Sequence, residues 1–301
     1  MRKSELNSYL SFAKKLINVS EKIVKKNTLT KIKVNFKIDQ SPVTKIDMQV
    51  ERSLRKLISQ KYPEHGIYGE EYQNKNLESD FIWVIDPIDG TKNFINGNGN
   101  YGTLLALCHQ GVPIIGIINS PQLKKRWIGI KNHGAFCNNQ ILKKTSSDQS
   151  LKELFFSTSG MTAFQDSSKN KKYRSLAKKT QYITFGGDCV QYGLLAEKRI
   201  PFVVESFLKP FDFLPLVNVI EETGGIITDW HGKSKAFCGD RGGGCGRPRR
   251  HASHVQPGAA RTNSSASVGA APRLLASSLS VTLWLCTRER VSMVSEGPCC
   301  R

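Results

Sequence analysis

The spacing of apolar residues changes several times along the first 240 positions. In the segment 5–26, apolar side chains recur at steps of three, four or seven with lysines between them, which predicts an amphipathic helix with a cationic outer face. The segment 32–38 alternates apolar and polar residues and predicts a half-exposed strand. The run 81–85 is continuously apolar, which is typical of a strand covered on both faces.

The rest of the pattern predicts short helices and strands in mixed order. We expect helices around 50–58, 170–179, 188–197 and 212–223, and strands at 104–108, 114–119, 127–130, 134–137, 154–157, 202–205 and 226–229. The segment 63–69 is predicted as a loop. Because no regular β-α-β repeat occurs, the pattern favours a layered α+β fold.

The composition changes sharply after residue 240. Residues 1–240, the body, contain 35 Lys plus Arg and 23 Asp plus Glu, a net charge of +12, whereas residues 241–301, the tail, contain nine Arg, no Lys and two acids. No helix or strand period persists through the tail, which predicts a non-native (foreign or out-of-frame) or disordered segment, with a flexible basic tail as the alternative. Within the body, the Lys-, Ser- and Asp-rich stretch 143–150 predicts a boundary between an N-terminal α+β half, 1–142, and a C-terminal α/β half, 143–240.

Charge, cysteine spacing and hydropathy argue against several classes of protein, among them nucleic-acid-binding, zinc-binding and membrane-spanning proteins. The formal net charge of the 301-residue chain is +19, which would suit nucleic acid or an anionic substrate, but the lysines of the body are spread over helical faces and favour a solvated surface. No C-x-x-C pair occurs, so a zinc site or a redox dithiol has no supporting spacing. No apolar run approaches the roughly 18 residues of a membrane span, and the N-terminal segment lacks the long apolar stretch of a signal peptide. We expect a soluble cytoplasmic protein that binds neither membrane nor nucleic acid.

The string Asp86-Pro87-Ile88-Asp89-Gly90-Thr91 contains the candidate chemical groups. Its two carboxylates lie three residues apart where an apolar strand ends, and close carboxylates repel one another unless hard divalent cations neutralise them. The amides of Gly90 and Thr91, at a predicted helix start, favour a phosphate. The string therefore predicts a metal site beside a phosphate site.

Other acids in the body extend this site or have a purely structural role. Glu70 and Glu71 lie on a predicted loop, and Asp212 lies at another predicted helix start. Taken singly, Glu70 and Glu71 fit a surface pair, and Asp89 and Asp212 each fit a helix N-cap. Asp47 fits a capping pattern with Thr44. Their combination with the string favours the metal site. The histidines of the body are expected in loops or on the surface, at His65, His109, His133 and His231.

These motifs resemble a known family. Gly69-Glu70-Glu71 and the string from Trp83 to Thr91, together with Asp212, resemble the inositol monophosphatase superfamily of magnesium-dependent, lithium-sensitive phosphatases. The resemblance covers about residues 5–240 and implies a layered αβαβα sandwich and, commonly, a dimer. Gly186-Gly187-Asp188-Cys189 and, after Glu205, Lys209-Pro210-Phe211-Asp212-Phe213 are similar to the bacterial histidinol-phosphatase branch of the superfamily.

The resemblance implies a cofactor and its ligands. One Mg²⁺ would be held by Glu70, Asp86 and the backbone carbonyl of Ile88. A second would be held by Asp86, Asp89 and Asp212, and the superfamily uses two or three ions per site.

The resemblance also implies catalytic and substrate-binding residues. Asp47 and Thr91 would position and activate the attacking water, and Glu70 is grouped with them as catalytic. The substrate would be bound at four positions, the phosphate by the amides of Gly90 and Thr91 and the remainder of the molecule by Asp188 and Glu205. The alternative for Asp188 is a helix N-cap after Gly187.

We therefore predict a magnesium-dependent phosphomonoesterase that hydrolyses L-histidinol phosphate to L-histidinol and phosphate in histidine biosynthesis. Its partner would be a small phosphorylated metabolite, and a second copy of the chain would form a homodimer. An inositol-1-monophosphatase or a broader sugar-phosphate phosphatase is the alternative enzyme. A basic nucleic-acid-binding protein is the alternative from another class, and a chimeric product that folds poorly is a third.

Overall fold

A computed structural model describes residues 1–28, 34–38, 42–144, 150–164, 167–230 and 281–285. In chain order, the elements up to residue 144 are α1 (Lys3–Asn27), β1 (Val34–Phe36), β2 (Pro42–Thr44), α2 (Lys45–Lys61), β3 (Gly66–Gly69), β4 (Phe81–Asp89), α3 (Thr91–Asn96), β5 (Gly102–His109), β6 (Val112–Ser120), β7 (Lys125–Ile130), β8 (Gly134–Cys137) and β9 (Gln140–Ile141). The later elements are β10 (Phe156–Thr158), α4 (Ser167–Ala177), β11 (Ile183–Phe185), α5 (Asp188–Ala196), β12 (Phe202–Val204), α6 (Pro210–Glu221), β13 (Gly225–Asp229) and β14 (Val281–Leu285), with 3-10 turns at Leu151–Glu153 and Met161–Phe164.

Two large sheets organise these elements. The first contains β3 to β9 in sequence order, with β3 parallel to β4 and every later neighbouring pair antiparallel. The second has the order β11-β10-β12-β14-β13, in which β10 runs parallel to β11 and β12, and β14 runs antiparallel to both of its neighbours. The short strands β1 and β2 pair with each other just before α2.

The buried side chains of β4 show how the layers are arranged. Trp83 and Ile85 lie in the core that the first sheet forms with α1 and α2. Ile82 and Val84 point to the opposite face and lie in the core shared with α5, α6 and the second sheet. Both faces of β4 are therefore covered, as its continuous apolar run predicted.

A third core lies on the far side of the second sheet. There Phe156 and Phe202 from the sheet pack with Tyr173 of α4 and with Trp230. The layer order is thus α1 and α2, the first sheet, α5 and α6, the second sheet, and α4. The predicted layered αβαβα fold is confirmed.

Close contact between α6 and the first sheet depends on two glycines. A Cβ added at Gly116 of β6 would lie 2.2 Å from the carbonyl oxygen of Pro215, and one at Gly129 of β7 would lie 2.1 Å from the carbonyl carbon of Asn218. Real Cβ atoms do not approach backbone so closely, so the helix backbone can rest on the sheet here only because both positions lack a side chain. This contact matters because α6 contains Asp212.

The observed elements confirm most of the predicted ones and correct several. The predicted loop 63–69 is wrong in its second half, where β3 pairs with β4. Part of the predicted strand 32–38 is present as β1, and positions 32 and 33 are outside the described residues. His65, expected in a loop or on the surface, is 6% exposed. Its Nδ1 accepts a 3.1 Å hydrogen bond from the indole of Trp83, and its ring stacks on Tyr62 at 4.5 Å.

A short stretch of the tail lies among the described residues, and the prediction for the tail stays a prediction. Within the segment expected to be non-native or disordered, β14 forms a strand between β12 and β13, and the remaining residues of the tail are outside the described ranges. The predicted boundary at 143–150 falls between the last strand of the first sheet and the first strand of the second, and the division into two halves stays a prediction. No helix in the described ranges is long and apolar enough to cross a membrane.

Candidate metal and phosphate site

Three carboxylates meet where β4 ends against α6. One side-chain oxygen from each of Asp86, Asp89 and Asp212 lies within 4.8 Å of the other two. Asp86 and Asp89 belong to the last residues of β4, and Asp212 is in the first turn of α6. The predicted association of these three acids is therefore present in the fold.

An irregularity in β4 explains why two acids three residues apart can meet. Residues i and i+3 of a regular strand point to opposite faces of a sheet. The pairing of β4 with β5 shifts register between Asp86 and Asp89, and Pro87, which has no amide hydrogen, lies in this interval. A β-bulge re-aims the side chain that follows it, so both carboxylates can face the same point.

The three acids have the properties of a cation site. Asp86 Oδ1 and Asp89 Oδ2 are buried, and neither has a hydrogen-bond partner among the described residues. Burial, then the charge of Glu70, raises the pKa of Asp86 well above its usual range, and burial, then the charge of Asp188, does the same for Asp89. Burial followed by the charge of Glu70 raises the pKa of Asp212 to about 7. Unpartnered carboxylate oxygens at such close range fit a hard divalent cation.

Glu70 and Glu71 border this cluster and share a cationic partner. The ammonium of Lys37 donates to Glu70 Oε1 at 2.7 Å and to Glu71 Oε1 at 2.8 Å. The side chains of the two acids are 18% and 5% exposed, so they are not a surface pair. Burial and the charge of Glu70 raise the pKa of Glu71 to about 7. Glu70 therefore adds negative charge beside Asp86, although it is outside the group of three closest carboxylates.

Asp47 has one carboxylate oxygen in a helix cap and one oxygen without a partner. Thr44 and Asp47 form a capping box at the start of α2, in which Asp47 Oδ2 accepts from the Thr44 amide at 2.8 Å and from the Thr44 hydroxyl. The capping alternative is therefore confirmed. Asp47 Oδ1 is buried and has no partner in the described part of the chain, and burial raises the pKa of this carboxyl. One oxygen of Asp47 thus stays available for chemistry.

Thr91 and Gly90 lie at the junction of β4 and α3. The Thr91 hydroxyl donates to the carbonyl oxygen of Ile88 at 3.0 Å, so its own lone pairs can accept a further hydrogen bond. Gly90 has φ +82°, and an added Cβ would lie 2.6 Å from the carbonyl oxygen of Asn100. Because α3 has only six residues, a phosphate at this end would depend on hydrogen bonds from individual amides more than on a helix dipole.

Asp188 is held towards the cluster by an asparagine. The Asn93 amide nitrogen donates to Asp188 Oδ2 at 2.6 Å and to the Gly186 carbonyl oxygen at 3.1 Å, and Asn100 donates to the same carbonyl at 2.9 Å. Asp188 has φ +37°, and its side chain makes no helix cap, since Gly187 is the N-cap of α5. The N-cap alternative for Asp188 is therefore wrong.

Glu205, the residue after β12, is a buried acid. It is 2% exposed, and its Oε1 accepts from the Ser159 amide at 2.5 Å and from the Gln191 side-chain nitrogen at 2.8 Å. Burial raises the pKa of Glu205 to about 7. Ser159 and Gln191 were missed in the sequence, although Gln191 lies three residues after Asp188, the spacing of one helix face.

Neither Asp89 nor Asp212 is the N-cap of its helix, so the N-cap alternative is wrong for both. Gly90, not Asp89, is the N-cap of α3. Asp212 is the third residue of α6, whose N-cap is Lys209, and its Oδ2 accepts from the Lys209 amide at 2.7 Å. Asp212 therefore contributes one oxygen to the helix start and lies with the other acids at the same time.

Comparison with known proteins identifies relatives of this chain. The sequence profile of the inositol monophosphatase family matches residues 5–263. A chloroplastic bifunctional phosphatase of Arabidopsis thaliana is 40% identical over 232 residues, which are 76% of this chain and 66% of that protein, so the chain spans just under two thirds of this relative. A histidinol-phosphatase of Chlorobaculum parvum is 30% identical over 210 residues, 69% of this chain and 80% of that protein.

Solved structures give the same assignment. An inositol monophosphatase from Zymomonas mobilis superposes with a TM-score of 0.67 at 34% identity, covering 75% of this chain and 87% of that one. An inositol monophosphatase from Thermotoga maritima has a TM-score of 0.68 at 27% identity, with the same two coverages. The chain belongs to the inositol monophosphatase family, a family of phosphoric monoester hydrolases.

Proposed function

We propose that this chain is a magnesium-dependent phosphomonoesterase whose substrate is L-histidinol phosphate. The observation that supports the activity most directly is the convergence of Asp86, Asp89 and Asp212 with two buried oxygens that have no partner among the described residues. Relatives named histidinol-phosphatases, at 27–30% identity, support the substrate.

The ligand set proposed for the cations follows the acids around the end of β4. Glu70, Asp86 and the Ile88 carbonyl would hold one ion, and Asp86, Asp89 and Asp212 would hold a second, with two or three ions in the full site. When bound, magnesium ions supply positive charge that polarises the phosphate ester and make a water molecule more acidic. The hard oxygen donors favour magnesium over softer metals.

The protein's own groups would orient the attacking water and the phosphate. Asp47 Oδ1 is the free acceptor on α2, and the Thr91 hydroxyl, which donates to the Ile88 carbonyl, keeps lone pairs for the water. We assign proton acceptance to Asp47 and orientation to Thr91. The amides of Gly90 and Thr91 would hold the phosphate oxygens. Positioning and charge stabilisation of this kind account for most of the catalysis of phosphoryl transfer.

Asp188 and Glu205 are the acids that would select the leaving group. Histidinol has an amine and an imidazole, and both can be cationic, so acids outside the metal ligand set favour it over a neutral polyol. Glu205 has a pKa of about 7, and a bound cation would stabilise its ionised form. We propose that these two side chains bind the amine and the imidazole, and we do not assign either group to one particular acid.

A second enzyme function is favoured by other relatives. A protein of Thermotoga maritima, 30% identical over 192 residues, is named a fructose-1,6-bisphosphatase/inositol-1-monophosphatase. Glu205 could equally accept hydrogen bonds from sugar or inositol hydroxyls. An inositol-phosphate or sugar-phosphate phosphatase is therefore the alternative.

The experiment is phosphate release from a panel of histidinol phosphate, inositol 1-phosphate, fructose 1,6-bisphosphate and a nucleoside monophosphate, with and without magnesium. We expect the highest kcat/KM for histidinol phosphate, loss of all activity in Asp86→Asn, and loss of the preference for histidinol phosphate in Glu205→Gln. Glu78→Gln, at an exposed position, is the charge-matched control and should behave as the wild type. Preference for a neutral leaving group would overturn the substrate, and release that does not need magnesium would overturn the mechanism. Nucleic-acid binding that weakens steeply with salt but survives removal of magnesium would favour the non-enzyme alternative.

A further inference from the structure

A buried carboxylate outside the proposed site holds the loop that contains Glu70. Glu51, on α2, has a side chain that is fully buried. Its Oε2 accepts from the Glu71 amide at 2.8 Å, and its Oε1 accepts from the Tyr72 amide at 3.2 Å. The two backbone amides that immediately follow Glu70 are therefore both bonded to one side chain of a different element.

Arg55, one helical turn after Glu51, holds the carbonyl side of the same loop. Its Nε donates to Glu51 Oε1 at 2.7 Å, while its two terminal nitrogens donate to the carbonyl oxygens of Tyr72 and Gln73, both at 3.0 Å. A buried carboxylate is costly unless it is paired and fully hydrogen-bonded. The pair meets this condition only while the loop keeps its present position, so the loop and the pair fix each other.

Gly69 shows how closely the loop approaches this pair. A Cβ added at Gly69 would lie 2.1 Å from Glu51 Oε1 and 2.7 Å from a terminal nitrogen of Arg55. The glycine in the Gly69-Glu70-Glu71 string therefore has a direct physical reason, because any side chain there would displace the loop from the carboxylate. The Gly69 amide donates a 3.2 Å hydrogen bond to Asn74 Oδ1, within the same loop.

The same helix places Asp47 in the site. Asp47, Glu51 and Arg55 are four residues apart in succession, so they lie along one stripe of α2. One end of this stripe supplies the free oxygen of Asp47, and the other end binds the loop after Glu70. Through this stripe, α2 links the position of Asp47 to the position of the loop that contains Glu70.

We propose that Glu51, together with Arg55, is a positioning residue that fixes the Glu70 carboxylate and thereby raises the cation affinity of the acidic cluster. The inference rests on the proposed function, since it takes the cluster to be a cation site. The physical reason is preorganisation, because a loop that is already ordered loses less entropy when Glu70 binds an ion. Loss of groups that orient metal ligands typically weakens metal affinity by roughly 10- to 100-fold.

Two direct measurements on metal-free full-length protein test this inference. Titration with Mn²⁺, followed by the electron paramagnetic resonance signal of the free ion, gives the affinity, and hydrogen exchange resolved to the peptide 69–74 gives the order of the loop. In Glu51→Gln one of the two loop amides loses its acceptor and Arg55 loses its charged partner. We expect roughly tenfold weaker Mn²⁺ binding and faster exchange in this peptide.

Glu222 provides a matched control. Its carboxylate also accepts two loop amides, those of Asn132 at 2.6 Å and Gly134 at 2.9 Å, but it takes no part in the acidic cluster. Glu222→Gln should speed exchange near 132–134 and leave Mn²⁺ affinity unchanged. Equal weakening in Glu51→Gln and Glu222→Gln would overturn the inference, because both effects would then come from general destabilisation.

The remaining outcomes separate this inference from the function on which it rests. Asp86→Asn should abolish tight Mn²⁺ binding, and if it does not, the proposed metal site itself is wrong. If Asp86→Asn weakens binding but Glu51→Gln does not, only the positioning role is wrong. Arg55→Lys keeps the charge opposite Glu51 but loses the contacts to the loop carbonyls, so it should weaken Mn²⁺ binding less than Glu51→Gln does. If Glu51→Gln fails to fold, Arg55→Lys becomes the test of the positioning role. Wild-type Mn²⁺ affinity in Arg55→Lys would then overturn the inference.

Discussion

Replacing Asp212 by Asn should make the metal-free protein more stable while weakening its hold on a cation. Burial and the charge of Glu70 raise the pKa of Asp212 from 3.8 to about 7, and one unit of pKa corresponds to about 1.4 kcal/mol. The whole shift would represent about 4 kcal/mol, and solvent screening at this half-buried, coupled group reduces the expected gain to about 1–3 kcal/mol. In the wild type, Asp212 accepts a 2.7 Å hydrogen bond from the Lys209 amide. Asn keeps a side-chain oxygen for this bond, so the variant removes the charge and preserves the start of α6.

The gain should depend on pH in a defined direction. The folded-state pKa lies above the unfolded one, so ionisation of Asp212 opposes folding, and the advantage of Asn is absent below about pH 4. It grows as the pH rises from there to about 7 and is constant above that. Urea unfolding in EDTA at several pH values from 4 to 8 measures it, with exposed Asp80→Asn as the control. Added magnesium should stabilise the wild type more than the variant. A less stable Asp212→Asn protein at pH 8, or a gain that is equal at pH 4 and pH 8, would refute the reasoning.

Three further predictions concern packing and the substrate. Gly129→Ala should lower the free energy of unfolding by about 1–3 kcal/mol, because the new methyl group would meet the Asn218 backbone at 2.1 Å; unchanged stability in urea would contradict the close contact with α6. As pH rises through about 7, the KM for histidinol phosphate should fall more in the wild type than in Glu205→Gln, because Glu205 ionises near that pH; equal pH profiles in a phosphate-release assay would argue against this role. Asn93→Ala should raise the same KM by roughly tenfold, because it removes the 2.6 Å hydrogen bond that holds Asp188; a change confined to kcat would place Asp188 outside the substrate contacts.

The sequence predicts the fold well where the apolar pattern is strong and local. The run at 81–85 predicts a strand buried on both faces, and Trp83 and Ile82 indeed lie in different cores. The string from Asp86 to Asp89 predicts a shared site, and the bulge that lets both carboxylates face one point contains Pro87, which has no amide hydrogen for the sheet. Local sequence is sufficient in these cases, since each feature depends on neighbours in the chain.

Features that depend on distant partners could not be predicted in this way. The strand β3 has four residues and exists because β4 pairs with it. His65 is buried because Tyr62 and Trp83 enclose it. The strand β14 is formed by pairing with β12 and β13, and no period in the tail indicated it.

The candidate site shows the same limit. Its acids stand out in the sequence because they occur in short strings, but the groups that orient them do not. Glu51 and Gln191 lie within ordinary helical patterns, and they gain their partners only because α2 packs against the loop after Glu70 and α5 packs against the end of β12. The sequence predicts the capping box of Thr44 and Asp47, but it does not show that Asp47 Oδ1 is left without a partner among the described residues.

The central claim is that the acids at the end of β4 bind divalent cations next to a phosphate. The most direct measurement is an anomalous difference map from crystals of the full-length protein grown with Mn²⁺ and inorganic phosphate. The account predicts a manganese peak coordinated by the carboxylates of Asp86, Asp89 and Asp212, with phosphate density beside the amides of Gly90 and Thr91. A map with manganese bound elsewhere, and with these three carboxylates free of any ion, would contradict it.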